Sequence, residues 1–122
     1  MRFIKSVGCA WHGIKYCFIS EKNFRIEVIL ALITIISAIA LKMRANEWFA
    51  ILFCSALVLS LEIINTAIEK LSNVVTTSIH PGIKLVKDMA AGAVFLVSIF
   101  SLIIGAIIFL PKIEFLIKNI FK

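Results

Sequence analysis

Polar residues are scarce where a soluble protein would need them. Residues 26–41, 48–71 and 89–110 form apolar stretches with almost no polar face. Each helix of a soluble bundle needs such a face, so that architecture is excluded. Cysteine is sparse as well. Cys9, Cys17 and Cys54 show neither a CxxC pair nor a metal-ligand spacing, which suits reduced thiols in cytoplasm-facing or lipid-buried positions. Residues 1–25 carry basic residues throughout and lack a compact apolar run before a small-residue cleavage site, so no cleaved signal peptide is expected. No basic segment stands apart from the apolar ones, which argues against a nucleic-acid partner. Also absent are a Gly-x-x-x-x-Gly-Lys-Ser/Thr loop, the signatures of soluble kinases, internal repeats and low-complexity segments.

What is present is apolar bulk. Hydrophobic residues make up 61% of the chain, against roughly 45–50% in a soluble domain. The three stretches approach the ~17–25 residues that a bilayer-crossing helix needs. The expected fold is an all-α integral membrane protein forming a single domain over residues 1–122. A surface helix over 1–20 precedes membrane helices near 24–42, 47–71 and 88–110. The net charge of +6 comes from basic residues beside the spans, where anionic headgroups lie. With three spans, residues 1–25 and the 72–87 loop share one side. Their basic residues outnumber those on the other side, which holds Lys42, Arg44, Lys112, Lys118 and Lys122. That places the N-terminus in the cytoplasm.

Residues 2–19 have a helical period, with Phe3, Val7, Ala10, Trp11, Ile14 and Phe18 on one stripe and Arg2, Lys5, His12 and Tyr16 elsewhere. Such a helix is expected to lie in the headgroup plane. Ser20 is expected to cap the next helix, and Asn46 the one after. His80-Pro81-Gly82 breaks the chain before span three. The tail over 112–122 is expected to rest on the far membrane surface.

One feature contradicts a simple span. Glu62, Asn65 and Glu69 project from one narrow face, within about 60° of each other on a helix. An acidic residue near the centre of a membrane helix costs roughly 2.5–3.5 kcal/mol. Protonation, a cation or hydrogen-bonding partners must offset this. Glu21, Glu27, Glu69 and Asp88 fall near the same membrane face, with Arg25 and Lys87. Oxygen ligands gathered at an interface suit a hard divalent ion, which keeps waters and phosphate oxygens. Lys87 is placed to hold a phosphate. Phosphoryl transfer needs positioning, charge neutralisation and one general base. These residues alone also admit a small transporter, a proton conductor, or helix–helix glue centred on Asn65.

Three separated runs narrow the choice. Glu62-Ile-Ile-Asn65-Thr-Ala-Ile-Glu69 resembles the E-x-x-N-S/T-A-I-E motif of the small bacterial diacylglycerol and undecaprenol kinases. Glu21-Lys-Asn-Phe24-Arg25-Ile-Glu27 resembles their E-x-x-F-R-x-E. Lys87-Asp88-Met-Ala-Ala-Gly92-Ala resembles their K-D-x-A-A-G-A. The likeness spans nearly the whole chain in the right order. It implies a homotrimeric kinase of the bacterial inner membrane, multi-pass, with sites shared between subunits, using Mg2+ and ATP to phosphorylate a lipid alcohol. It implies Glu62 as general base, with Glu21 and Glu69 on the metal. Arg2, Cys9, Glu21, Asn65, Glu69, Ser78, Ile79, His80, Lys87 and Asp88 are implied around the nucleotide. Trp11, Lys15, Asn23, Phe24, Arg25, Glu27, Glu62 and Ala91 are implied along the lipid.

Two positions depart from the motif. Cys9 stands where some members have tyrosine. Asn73 stands where the family often has the Asp that closes E-x-x-V-D, keeping that residue's shape without its charge. The Ala90-Ala91-Gly92-Ala93 run resembles undecaprenol kinases more than the enterobacterial diacylglycerol kinases. Asn73 is the sole support for the alternative, a catalytically degenerate assembly or regulatory protein that keeps the kinase fold. Magnesium-dependent nucleotide affinity separates the two.

Overall fold

The computed structural model describes residues Met1–Lys122. The chain is all helix: α1 Arg2–Ser20, α2 Lys22–Ala40, α3 Ala45–Val75 and α4 Pro81–Ile120. The last three are long and apolar enough to cross a membrane. α3 is the hub: its backbone packs against α1, α2 and α4, whereas the α4 backbone comes close to neither α1 nor α2.

Only 10 of 122 residues are buried, and half of those are polar: Glu47, Glu62, Asn65, Thr66 and Ser72. The apolar side chains point outwards instead, and no residue of α4 is buried. This inverts the arrangement of a water-soluble fold. Contiguous exposed apolar surface marks a face made for lipid or for another protein. The buried apolar cluster is small. Ala38, Met43 and Ile51 meet where α2 turns into α3, covered by Leu41, Trp48, Ile108 and Phe109.

Local chemistry explains the breaks, and it differs in part from the sequence expectation. Ser20 ends α1 rather than capping α2; Glu21 holds the N-cap position with extended backbone and no side-chain capping bond. Instead, Arg25 Nη1 reaches back and donates to the carbonyls of Phe18 (3.1 Å) and Ile19 (2.6 Å), satisfying the exposed end of α1. At the α2–α3 turn, Met43 N donates to Ala38 O and Leu41 N to Ser37 O, with Lys42 at φ 53. That left-handed residue after the helix end lets the chain reverse. Arg44, not Asn46, is the N-cap of α3. Asn46 falls inside the first turn, and the carboxylate of Glu47 accepts the Arg44 N–H at 3.3 Å.

His80 caps α4: its Nδ1 accepts the N–H groups of Gly82 (3.1 Å) and Ile83 (3.4 Å). Pro81 follows at the helical start, where its missing N–H costs nothing. α4 then runs 40 residues through Pro111 to Ile120. The tail is therefore the end of α4, not a separate surface segment. At 1.5 Å per residue α4 is about 60 Å long, twice the ~30 Å of a hydrocarbon core.

Candidate functional site

The polar side of α3 is a stripe. Glu62, Asn65 and Thr66 are buried at 4%, 8% and 3% exposure, Glu69 is half-buried, and Ser72 is buried at 4%. Their spacing of three or four residues keeps them on one face. α1 and α2 bring further carboxylates to it. The Glu21 charge reaches Glu62, as does that of Glu69. Glu27, half-buried on α2, lies within electrostatic reach of Glu62. Three carboxylates, Glu69 of α3, Glu21 at the α1–α2 junction and Glu27 of α2, thus lie within electrostatic reach of Glu62.

Cys17 sits at the margin of this cluster, buried at 4% exposure. Burial pushes its thiol pKa up, and the charges of Glu21 and then Glu62 add to the effect. Lys70 approaches from α3. Its ammonium lies 5.3 Å from the centroid of the Tyr16 ring on α1. It is also within reach of the Glu21 and Glu69 charges.

Two acceptors in this region have no donor: Glu27 Oε2 and Asn65 Oδ1 are shut off from solvent without a hydrogen bond. A buried acceptor left so needs a donor or a cation. No three His, Cys, Asp or Glu side chains converge tightly enough to enclose a metal by themselves. Within the single chain these side chains therefore do not form a closed metal cage. The arrangement is compatible with a hard divalent ion, which takes one or two protein carboxylates and completes its shell with water and phosphate oxygens. The donors present fit that chemistry.

The cationic side lies at the α3–α4 junction. Lys87 Nζ donates to Asn73 Oδ1 at 2.8 Å. Asp88 pairs with Lys84 at 2.6 Å. The loop between the helices is pinned by Thr76, whose Oγ1 lies 2.8 Å from Ser78 Oγ and accepts the Ser78 N–H at 3.1 Å. Ile79 is 95% exposed there.

The remaining sequence-singled residues are dispersed. Arg2, Cys9, Trp11 and Lys15 are exposed along α1, and Ala91 is exposed on α4. Phe24 is buried at 3% and packs as core. Lys15 borders a shallow hollow with His12 and Tyr16. Asn23 and Glu27 stand at one end of a cavity of about 470 Å³ between α2, α3 and α4, which extends to Gly105 and Phe109. Its walls are mainly apolar, with Ser55 and Ser98 among the exceptions. The orphaned Glu27 carboxylate is thus beside an apolar trough.

Sequence reasoning did not single out Cys17, the Tyr16–Lys70 contact, or Glu47 with Lys112. Tyr16 had a signal in standing off the apolar stripe of α1, and Lys70 in following Glu69 directly. Cys17 had none, because an isolated cysteine on a helix carries no pattern.

The profile described as prokaryotic diacylglycerol kinase matches residues 8–109. The chain is 38% identical over 112 residues to an undecaprenol kinase of Bacillus subtilis, covering 92% of this chain and 91% of that one. It is 37% identical over 105 residues to a diacylglycerol kinase of Synechocystis, covering 85% of this chain and 60% of that protein. It is 30% identical over 107 residues to a diacylglycerol kinase of Escherichia coli, covering 88% of each. With the match running from α1 through α4 and taking in every carboxylate around Glu62, this chain belongs to the prokaryotic diacylglycerol kinase family.

Proposed function

We propose that the chain is a Mg2+- and ATP-dependent lipid kinase that phosphorylates undecaprenol or diacylglycerol at the cytoplasmic face of the bacterial inner membrane. Family membership supports the lipid-kinase class. The observation that carries the rest is the gathering of Glu21, Glu27 and Glu69 around buried Glu62, with two sequestered acceptors left without donors. A divalent cation is proposed to complete the site, supplying positive charge to the carboxylates and to the unpaired acceptors.

In the proposed reaction the lipid hydroxyl oxygen attacks the γ-phosphorus of ATP. The new O–P bond forms as the bond from γ-phosphorus to the β,γ-bridging oxygen breaks, and ADP leaves. Glu62 accepts the hydroxyl proton. Glu21 and Glu69 are the residues to hold Mg2+, which when bound supplies neutralisation of phosphate charge. Asn65 holds the cluster, and Lys87 faces the phosphates. Arg2, Cys9 and the Ser78–His80 turn flank the nucleotide, and Asp88 orders the cationic side through Lys84. The lipid approaches along α1 and residues 23–27, its tail in the apolar trough beside Glu27 and its headgroup against Trp11, Lys15 and Ala91.

α1 is proposed to lie on the membrane surface, with α2, α3 and α4 crossing. The outward-facing apolar surface supports both lipid contact and assembly, and a homotrimer with shared sites is the proposed form. The Ala90–Ala93 run favours undecaprenol. Asn73, the sole support for the degenerate alternative, hydrogen-bonds Lys87 and so has a partner on the cationic side of the site.

The test is a lipid panel. Purified protein in mixed micelles with Mg2+ and labelled ATP should convert undecaprenol to undecaprenyl phosphate or diacylglycerol to phosphatidic acid. No transfer to any lipid alcohol rejects the reading.

A further inference from the structure

The Lys87 ammonium is held but not neutralised. Its single polar partner is the carboxamide oxygen of Asn73, 2.8 Å away across the α3–α4 junction. The carboxylate next to it in sequence, Asp88, is occupied by Lys84 at 2.6 Å. No carboxylate stands within salt-bridge reach of Lys87. Lys87 is half-buried and its partner Asn73 is exposed.

Asn73 continues the Glu62 stripe. By helical geometry it lies about 20° from Glu62 around α3, and about 6 Å further along the axis than Glu69. The hydrogen bond to Asn73 therefore sets a positive charge one helical turn beyond the carboxylates, on the same face. The spacing suits a polyphosphate: one part meets the carboxylate-held cation and the next meets an ammonium.

We propose that Asn73 is a positioning residue for nucleotide binding: it orients Lys87 through a neutral hydrogen bond and so leaves the full lysine charge for a phosphate. A carboxylate there would make a stronger tether and a weaker anion site, because its own charge would compete with the phosphate. The proposal rests on the lipid-kinase reading and sharpens one residue's part in it.

Asn73→Asp in the full chain tests it. The expected result is opposite movement of two readouts. Thermal stability holds or rises, since the contact becomes an ion pair. The KM for MgATP rises about tenfold, the size of one charged hydrogen bond, with kcat and the KM for lipid little changed. Asn73→Ala, which frees the lysine without neutralising it, raises the KM for MgATP by less than Asn73→Asp does. A purely structural asparagine predicts the reverse order, with Asp the milder change. Equilibrium binding of MgATP without lipid reads the same effect, so the comparison reports even where no lipid is phosphorylated. Failure of the lipid panel with intact, Asn73-dependent nucleotide binding sinks the kinase reading alone. Wild-type nucleotide affinity in Asn73→Asp overturns the role of Asn73 alone.

Discussion

Lys112 of α4 places its ammonium 3.1 Å from Glu47 Oε2 at the start of α3, with side-chain exposures of 23% and 10%. The same carboxylate accepts the N–H of Arg44 and lies 3.2 Å from its guanidinium. One residue thus ties the α2–α3 turn to α4 just past Pro111. By the rise of a helix, Glu47 lies about 22 Å along α3 from Glu62. Its role is therefore separable from the site.

Glu47→Gln is expected to lower the melting temperature in detergent by several degrees, because the lysine is left with no full charge partner. Lys112→Met should do the same. The double variant should lose little more than the worse single one, as expected for two groups that act as a pair. Kinase kcat per folded protein stays near wild type in all three. A large loss of kcat without loss of stability would place Glu47 in the reaction instead.

Glu62→Gln tests the proposed base. The amide preserves shape and keeps an oxygen, and it removes a charge from the group of four carboxylates. Turnover is expected to fall about a thousandfold, the scale of general base catalysis. The helical content and oligomer size should match wild type. Retention of near-normal turnover assigns the proton to another acceptor.

Tyr16 and Lys70 make a contact between α1 and α3, 5.3 Å from ammonium to ring centroid. Apart from the Arg25 bonds to the carbonyls at its end, α1 is held lightly, since Cys17 is its only buried residue. Tyr16→Ala is expected to speed amide exchange along α1 and to raise the KM for lipid several-fold. Tyr16→Phe keeps the ring face and should preserve most of the wild-type behaviour. Equal damage from both substitutions would shift the weight from the ring to the hydroxyl.

The sequence made the long apolar helices legible because a membrane span announces itself by length and composition. The Glu62–Asn65–Glu69 stripe was legible for the opposite reason: polar residues in such a segment need a cause. Boundaries were harder. Ser20 and Asn46 have the chemistry of N-caps, yet Glu21 and Arg44 hold those positions, because Arg25 satisfies α1 from beyond its end and Glu47 satisfies α3 from within. The continuity of α4 through Pro111 was hidden by the same logic, as proline reads as a stop in a helix pattern. Long-range partners such as Lys87 with Asn73 or Lys112 with Glu47 carry no local signal at all.

Lys42 offers a stabilising change. Its φ of 53 is in the left-handed region, where a side chain costs roughly 1–2 kcal/mol and glycine none. Greater freedom of the unfolded glycine offsets part of the gain. Lys42→Gly is expected to add about 1 kcal/mol to stability with unchanged kinase kinetics. A fall in unfolding stability would mean that the lysine side chain holds the turn through contacts of its own.

Cys17 supplies the pH dependence. Its thiol is buried, and the negative charges of Glu21 and Glu62 disfavour the thiolate further. A raised folded-state pKa means the fold keeps its proton where the unfolded chain has begun to ionise. The stability that this contributes is full below the ordinary thiol pKa and declines as pH rises from there towards the raised value. Cys17→Ala should flatten that part of the alkaline stability profile relative to wild type, whatever other groups contribute to the slope. In the folded protein, maleimide should label exposed Cys9 and spare Cys17, because the thiolate is the nucleophile. Labelling of Cys17 at the rate of Cys9, in protein that melts normally, would place its thiol outside the carboxylate cluster and remove this account of its titration.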